Sequence, residues 1–469
     1  MPESDKAPNL LLIVCDELRA FEVGCYGHPT VRTPHLDALA DRGVRVETAI
    51  SNAPVCMPAR SVMLSGQHAR TCCGSLTNAG WPGDLPFNVV GFPQWPTGRR
   101  VHLPDQTLPE RLREAGYRTA AVGKWHVEAW PDAIGFDHYV IPAHHHAHTA
   151  QWFIEDGQPP FSPPGYSVDF EAERVSGYLR EHAGGEQPFF MYYNISPPHM
   201  PLADAPRKYR EMYGRDDAPV RPNVDLSRPL PDQEERFKTY LHDYRYYRDH
   251  LPHTETLPEG LDLVSLTAMY LGLVTWVDDT VGRVLAALDA AGSKRETLVV
   301  FTSDHGENLG SHGRMGKGSL NEEATRVPMI AAGTGLPAGA VSGRVASLVD
   351  LPATLLGAAG VETPGHFQGR SCWGDWVAPV AEPSAEDAGL AFIETHGNGV
   401  GVRSATHALG VRYAQGDPGP VRHQLEETPH RFFDLRNDPY EINNLAERAA
   451  EDPIGRRLEA ALRRWHAET

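Results

Sequence analysis

The 469-residue sequence predicts an α/β protein: a doubly wound, mostly parallel sheet core with a smaller antiparallel subdomain at the C-terminal end. Three observations carry this. Asn9-Leu-Leu-Leu-Ile-Val-Cys15 is apolar without alternation, the pattern of a strand covered on both faces. Strand-like and helix-like segments then alternate, as crossover connections between parallel strands require. Beyond residue 365 the long helices stop and short strands follow one another.

In chain order, His35 to Arg42 reads as a helix, and Leu108 to Ala115 as a second that Gly116 ends. Arg118–Val122 and the aromatic-rich Pro188–Asn194 read as strands. Leu263–Ala291 has the length and periodicity of a long amphipathic helix. Thr297–Thr302 and Val327–Ala332 are strands, and Leu351–Ala359 is a helix after Asp350. Gly389–Glu394, Val400–Ser404, Ala408–Tyr413 and Arg431–Leu435 are the short C-terminal strands, and a terminal helix starts at Pro453. The length exceeds that of one hydrophobic core, so two units are expected, 1–365 and 366–469. Residues 200–260, rich in Pro, Arg, Asp and Tyr, read as a surface insertion. The tyrosines from Tyr240 to Tyr247 read as helix packing.

The composition is globular, with 41% hydrophobic and 22% charged residues. Lys plus Arg number 43 against 61 Asp plus Glu, for a net charge of −18. That excludes non-specific nucleic-acid binding, which needs a basic surface. An anionic substrate stays open, because a local cluster of cations overrides the global field. The apolar run Leu10–Cys15 is too short to span a membrane or to serve as a leader, and a cytoplasmic protein is expected. The cysteines (15, 25, 56, 72, 73 and 372) have no metal-type Cys-x-x-Cys spacing, and the adjacent pair 72 and 73 favours free thiols.

The chemistry collects where such a sheet places it, after the carboxyl ends of strands. Asp16 and Glu17 follow the first strand; Lys124 and His126 follow Arg118–Val122; His199 follows Pro188–Asn194; Asp304 and His305 follow Thr297–Thr302. Cys56 precedes an apolar helix-like run that Gly66 can end, with Pro58 suited to its first position. A helix start there puts Cys56 where free backbone N–H groups favour an anion, with Arg60 one turn on. The bland alternative is a buried structural cysteine beside a surface salt bridge. Gly313-Arg-Met-Gly-Lys317-Gly318 is not a phosphate-binding loop, because Ser311 stands at the first glycine position and Gly318 where Ser or Thr is needed. Lys317 is better read as a cation for an oxyanion. The run His144-His-His-Ala-His148 reads as a solvated loop, with a substrate-pocket role or a second metal site as the sharper alternatives.

Cys56-x-Pro58-x-Arg60 resembles the signature of the type I, formylglycine-dependent sulfatases of the alkaline phosphatase superfamily. Cys15-Asp16-Glu17-Leu-Arg, Gly123-Lys124-Trp-His126, Pro198-His199-x-Pro201, Ser303-Asp304-His305-Gly306 with Lys317, and Phe433-Asp-Leu-Arg-Asn-Asp-Pro439 resemble further family elements in the family's order. The resemblance implies an alkaline phosphatase-like fold and hydrolysis of a sulfate monoester to an alcohol and inorganic sulfate. Cys56 would be oxidised to formylglycine by a formylglycine-generating enzyme, and its hydrated aldehyde would attack sulfur. Asp16, Glu17, Cys56, Asp304 and His305 would hold one divalent metal ion. Arg60 and Lys124 would steady the diol, His126 would serve its collapse, and His199 and Lys317 would contact the sulfate and the leaving-group oxygen.

Two departures stand out. Glu17 occupies a position that is commonly Asp in the family, and His305 one that is commonly Asn. Ca²⁺ is the family's metal, whereas imidazole suits Mn²⁺ or Zn²⁺ better, and Mg²⁺ also remains open. Asp-His also occurs in phosphonate monoester hydrolases of the superfamily, so a phosphonate monoester or phosphodiester hydrolase is the second reading. A catalytically lapsed binding protein is the third; it had no need to keep Cys56, Arg60, Lys124, His126, His199 and Lys317 together. Aryl, sugar and alkyl sulfates are all open as substrates, and so is the oligomeric state.

Overall fold

The computed structural model describes residues 7–78, 100, 102–142, 146–242, 259–293, 295–333, 335–384, 386–414 and 424–469. Asn9–Asp16 is the spine of a nine-stranded sheet, and all eight of its residues are buried. It pairs in parallel with Phe189–Pro198 on one side and Thr297–Ser303 on the other. Arg118–Gly123 and His138–Pro142 continue the parallel order beyond Phe189–Pro198. Phe153–Glu155 closes one edge in antiparallel sense, whereas on the other side Met329–Ala332 runs antiparallel to both Thr297–Ser303 and Gly43–Val46, and Ala340–Ser342 forms the edge, parallel to Gly43–Val46. The expected mostly parallel core is therefore present, with the reversals confined to its flanks.

Both faces of this sheet are covered, as its unbroken apolar strands require. Leu11, Ile13 and Cys15 face a cluster that includes the Leu263–Ala291 helix, and Leu10, Leu12 and Val14 face one built with the Cys56–Ser65 helix. The second crossover helix, Ser167–His182, lies in a segment the sequence reading left without an element. Its signal is the spacing Val168, Ala172, Val175, Leu179, which lines one buried stripe in a mostly polar segment. The described part of the expected surface insertion, residues 200–242, buries Tyr209, Phe237, Tyr240 and Leu241 in the first cluster. Tyr209 donates to Asp279 Oδ2 at 2.7 Å, and Tyr213 pairs with Thr275 across 2.7 Å, so the segment is fastened to the long helix. Tyr240 packs inside the helix Gln233–His242, as predicted; Tyr244 to Tyr247 lie outside the described residues.

The C-terminal strands Ala391–Thr395, Gly399–Arg403, His407–Val411 and Arg431–Asp434 form a four-stranded antiparallel sheet, and the helix Pro453–Glu468 packs on it. Trp465 of that helix donates its indole N–H to His68 Nε2 at 3.0 Å, with the rings edge-to-face. Arg70, two residues on, binds Glu394 and lies over the Trp465 ring. The loop after the Cys56 helix thus joins the two sheets.

His68 must be neutral to accept that proton, and burial followed by the Arg70 charge lowers its pKa from 6.5 to about 3. A base whose folded pKa is depressed contributes fully above its unfolded value, and the contribution is lost as the pH falls from 6.5 towards 3. The stability advantage of wild type over His68→Gln is expected to shrink across that window and to be level above it. Urea titrations of both proteins at a series of pH values check this.

Candidate active site

Cys56 is the first residue of a ten-residue helix, Cys56–Ser65, that is buried along its whole length. The helix begins two residues earlier than Pro58 suggests, so the proline occupies the third position, still within the turn whose N–H groups have no helical partner. Gly66 ends it with φ 67°, as expected. Asn78 supplies what the Val55 cap cannot: its Oδ1 accepts the Met57 N–H at 3.1 Å, and its Nδ2 lies 3.7 Å from Cys56 Sγ.

Three other segments converge on this sulfur. His305 Nε2 and Lys317 Nζ each stand 3.2 Å from Cys56 Sγ, and Asp16 Oδ1 is 3.7 Å away. Arg60 is completely buried and projects from the next turn between two carboxylates, at 2.9 Å from Asp304 Oδ2 and 3.4 Å from Asp16 Oδ2. Its other terminal nitrogen donates to Asn194 Oδ1 at 2.6 Å and to the Lys124 carbonyl at 3.3 Å. Lys124 Nζ pairs with Asp16 Oδ2 and lies 3.2 Å from His146 Nδ1. The His146 and His199 rings stack at 3.7 Å.

Backbone geometry delivers these groups. Gly123 has φ +88°, and a Cβ there would meet the Asn194 carbonyl at 1.9 Å. Only glycine lets the strand ahead of Lys124 lie so close to the strand that carries Asn194. A Cβ on Gly306 would meet the Glu323 carbonyl at 2.0 Å, so the loop after Asp304 and His305 depends on the same allowance.

Burial sets the protonation states. It raises the Cys56 thiol, against the pull of Lys317, so the side chain is a neutral thiol. It lowers His305 to about 3 and drives His146 and His199 well below the usual imidazole range, with neighbouring cations adding to the effect. Burial also acts to raise Asp304, but His305, Arg60, Lys124 and Lys317 together hold its carboxyl down to about 2. His305, His146 and His199 are therefore neutral imidazoles beside an ionised Asp304 held by fixed cations.

The residues present fit a divalent cation. Ligand atoms of Asp16, Cys56, Asp304 and His305 lie within 4.8 Å of one another, all four residues are buried, and Asp304 Oδ2 accepts no aligned hydrogen bond. Glu17 is not in this group of four, but both of its carboxylate oxygens are buried without an aligned hydrogen bond, as Asp304 Oδ2 is. The sequence places it among the ligands, but its backbone adopts φ 68°, and its carboxylate faces His199 Nε2 at 3.2 Å and Lys317 Nζ at 3.3 Å. Burial raises the Glu17 carboxyl well above the usual carboxylate range. His126 is buried at the same end of the sheet, two residues beyond Lys124, with φ 46°.

Two contributors escaped the sequence reading as named site residues. Asn194 ends the predicted strand two residues before the Ser196-Pro-Pro-His199 turn, and that position was its signal. His146 sits in the histidine run, where the pocket alternative was the useful one; His144 and His145 lie outside the described residues. Asp16, His146 and His199 form a second group of possible ligands. The Lys124 ammonium, against Asp16 and His146, already supplies a cation there.

The family model described as Sulfatase matches residues 8–361. The chain belongs to the sulfatase family. It is an enzyme of the alkaline phosphatase superfamily whose reaction is hydrolysis of sulfate esters, and membership implies a metal ion and a formylglycine. A second model, N-sulphoglucosamine sulphohydrolase C-terminal, matches residues 310–468. The sulfatase is 27% identical to an ulvan-active sulfatase of Formosa agariphila, over 98% of this chain and 81% of the relative. It is 26% identical to an N-acetylglucosamine-6-O-sulfatase of Bacteroides thetaiotaomicron, over 95% and 84%. A solved structure in complex with its substrate D-glucosamine-2-N,6-O-disulfate superposes with a TM-score of 0.76 at 23% identity, covering 98% of each chain. The phosphonate monoester hydrolase of Agrobacterium radiobacter superposes at 0.71 and 21% identity, over 98% and 96%. The α/β architecture predicted from the sequence is that of these structures.

Arg60 is the charge on which the buried carboxylates depend, which makes its replacement informative. Arg60→Ala leaves Asp16 and Asp304 without their shared guanidinium, and a loss of about 3–5 kcal/mol of stability is expected. Arg60→Lys keeps the charge but not the fork that reaches Asn194 and Asp304 together, so it should restore stability only in part. Chemical denaturation of the three proteins, with activity recorded alongside, measures both effects.

Proposed function

We propose that the sulfatase hydrolyses sulfate monoesters through residue 56 in its formylglycine form, with one divalent metal ion held by Asp16, Asp304, His305 and residue 56. The observation that carries this is the placement of Cys56 Sγ within 3.2 Å of both His305 Nε2 and Lys317 Nζ at a buried helix N-terminus. A buried thiol with a raised pKa is a poor nucleophile in its own right. A hydrated aldehyde supplies what the thiol lacks: one hydroxyl to attack sulfur and a second through which sulfate is expelled. The metal would supply Lewis-acid charge at a sulfate oxygen. The donor set, two carboxylates and a neutral imidazole, accommodates Ca²⁺ and suits Mn²⁺ or Zn²⁺ better through its nitrogen.

The remaining roles belong to the chain's own side chains. Arg60 pairs with both Asp16 and Asp304 and Lys124 with Asp16, which fixes the orientation of the two carboxylates. Lys317 stands against residue 56 and adds positive charge where a tetrahedral anion gains negative charge. His199, with Nδ1 against the Met200 carbonyl at 2.8 Å, directs Nε2 towards Glu17 on the leaving-group side. His126 is placed to serve the collapse that releases sulfate. Maturation requires a formylglycine-generating enzyme. The relatives act on ulvan and on N-acetylglucosamine-6-O-sulfate by name, which supports a carbohydrate or other alcohol sulfate. All six cysteines are free, which supports a reducing compartment such as the cytoplasm. His305 favours one second reading, phosphonate monoester hydrolysis, and the ratio of kcat/KM on matched aryl sulfate and aryl phosphonate esters separates the two.

Mass spectrometry of the peptide carrying residue 56, from protein made with an activating enzyme, is expected to show the aldehyde in place of the thiol. Full activity with only unmodified cysteine would overturn the proposal. Cys56→Ser has one hydroxyl and no route to an aldehyde by expelling sulfate. It should complete at most one turnover and retain a covalent sulfate on the same peptide. For the metal, Asp16→Ala and Asp304→Ala should lower bound metal, read by elemental analysis, together with activity, while Glu17→Gln should leave the metal content near that of wild type.

A further inference from the structure

A cavity of about 390 Å³ opens beside the reacting centre, with Glu17 and Lys317 on its inner wall. Its outer wall comes from the start of the Gln233–His242 helix and includes Asp232, Glu235 and Arg236. Lys317 points to Cys56 on the sulfate side, so an ester bound for attack there directs its alcohol into this cavity. The outer wall is built from residues 232–240, a segment distinct from those that supply the contacts to Cys56.

The charge of the wall is acidic. Lys317 is engaged by Cys56 and Glu17, which leaves Arg236 as the lining cation, and its Nε donates to the Pro231 carbonyl at 2.8 Å. Asp232 and Glu235 have no ion-pair partner among the described residues. A second observation points to a ligand. The Tyr240 hydroxyl, on a residue 6% exposed, lines the same cavity beside the Glu307 carboxylate and the Gly316 backbone but makes no aligned hydrogen bond to either. A buried, unsatisfied hydroxyl costs free energy unless a bound group completes it. Met200 and Met315 add soft, polarisable surface to the wall. The whole molecule, at −18, repels a polyanion before it arrives.

We propose that this cavity selects sulfate esters whose alcohol carries a positive charge, an ammonium alcohol or a sugar with a free amine, with Asp232 and Glu235 as the specificity-determining carboxylates. The proposal rests on the sulfatase reading of the site. The ester is then a zwitterion: its sulfate meets Lys317 and the metal site, and its ammonium meets the acidic wall. The Tyr240 hydroxyl accepts an ammonium N–H or donates to a neighbouring sugar hydroxyl. An ester with further anionic groups is disfavoured on both counts.

The test compares matched esters on the activated enzyme: 2-aminoethyl sulfate against propyl sulfate, and glucosamine 6-sulfate against glucose 6-sulfate. The ammonium member of each pair is expected to have a kcat/KM at least about tenfold higher, equivalent to about 1.4 kcal/mol. The gap should narrow as salt is added, because these carboxylates are exposed. The double variant Asp232→Asn, Glu235→Gln should reduce the ratio at least threefold through KM. Calorimetric binding of the two small esters to the unmodified Cys56 protein reads the same preference without turnover. Equal or reversed preference in both pairs overturns the proposal, as does a wild-type ratio in the double variant. Turnover of 4-nitrophenyl sulfate separates the two readings. If it is hydrolysed and no ammonium preference appears, the sulfatase reading stands and this one falls; if no sulfate ester is hydrolysed or bound, both fall.

Discussion

The rest of the site depends on the buried guanidinium of Arg60. Two carboxylates at the ends of adjacent parallel strands, Asp16 and Asp304, lie in a region from which water is excluded. Without compensation, buried carboxylates at such proximity take up protons and cease to be ligands. Arg60 reaches both, and its fork also takes Asn194, so one side chain fixes three strands of the sheet relative to the Cys56 helix. Lys124 completes the balance on Asp16. The same arrangement that pairs the carboxylates holds residue 56 against His305 and Lys317.

The site is polarised. On one side stand the potential metal ligands, with Cys56 at the helix N-terminus. On the other, Glu17, His199 and Lys317 form a chain of contacts that leads outwards to the cavity under the Gln233–His242 helix. Glu17 shows how adjacent residues part. Its neighbour Asp16 ends the strand and pairs with Arg60 and Lys124, whereas Glu17, at φ 68°, faces His199 and Lys317. A residue that the sequence pattern groups with the metal ligands thus faces an imidazole and a lysine. Neutral, buried histidines then serve as acceptors and stacking partners, which they could not do if each carried a charge beside two lysines.

The segment between the catalytic turn at His199 and the long helix supplies the outer wall of the cavity beside the site. Its tyrosines anchor it to Asp279 and Thr275, and its helix presents one face to the core and another to the cavity. The C-terminal sheet is fastened to the core through His68, Arg70 and Trp465, immediately after the helix that carries Cys56.

Much of this was legible in the sequence because its signals are local. The unalternated run Asn9–Cys15 specifies a doubly covered strand, and the positions of Asp16, Lys124 and Asp304 just past strands specify an active end of a parallel sheet. Cys56-x-Pro58-x-Arg60 places a cation one helical turn from the cysteine, and its resemblance to the sulfatase signature implied the reaction. What the sequence could not decide is non-local. The Ser167–His182 helix was hidden by its polar composition, because its apolar stripe gains meaning only from the sheet it covers. Pro58 hinted at a helix start, but Asn78, remote in sequence, supplies the cap that lets the helix begin at Cys56. The contacts of Glu17 with His199 and Lys317, the stacking of His146 on His199 and the acidic wall of residues 232–240 exist only once distant segments are brought together. Local patterns set which residue types are available and in what order; tertiary packing sets which atoms meet, and the reaction depends on those meetings.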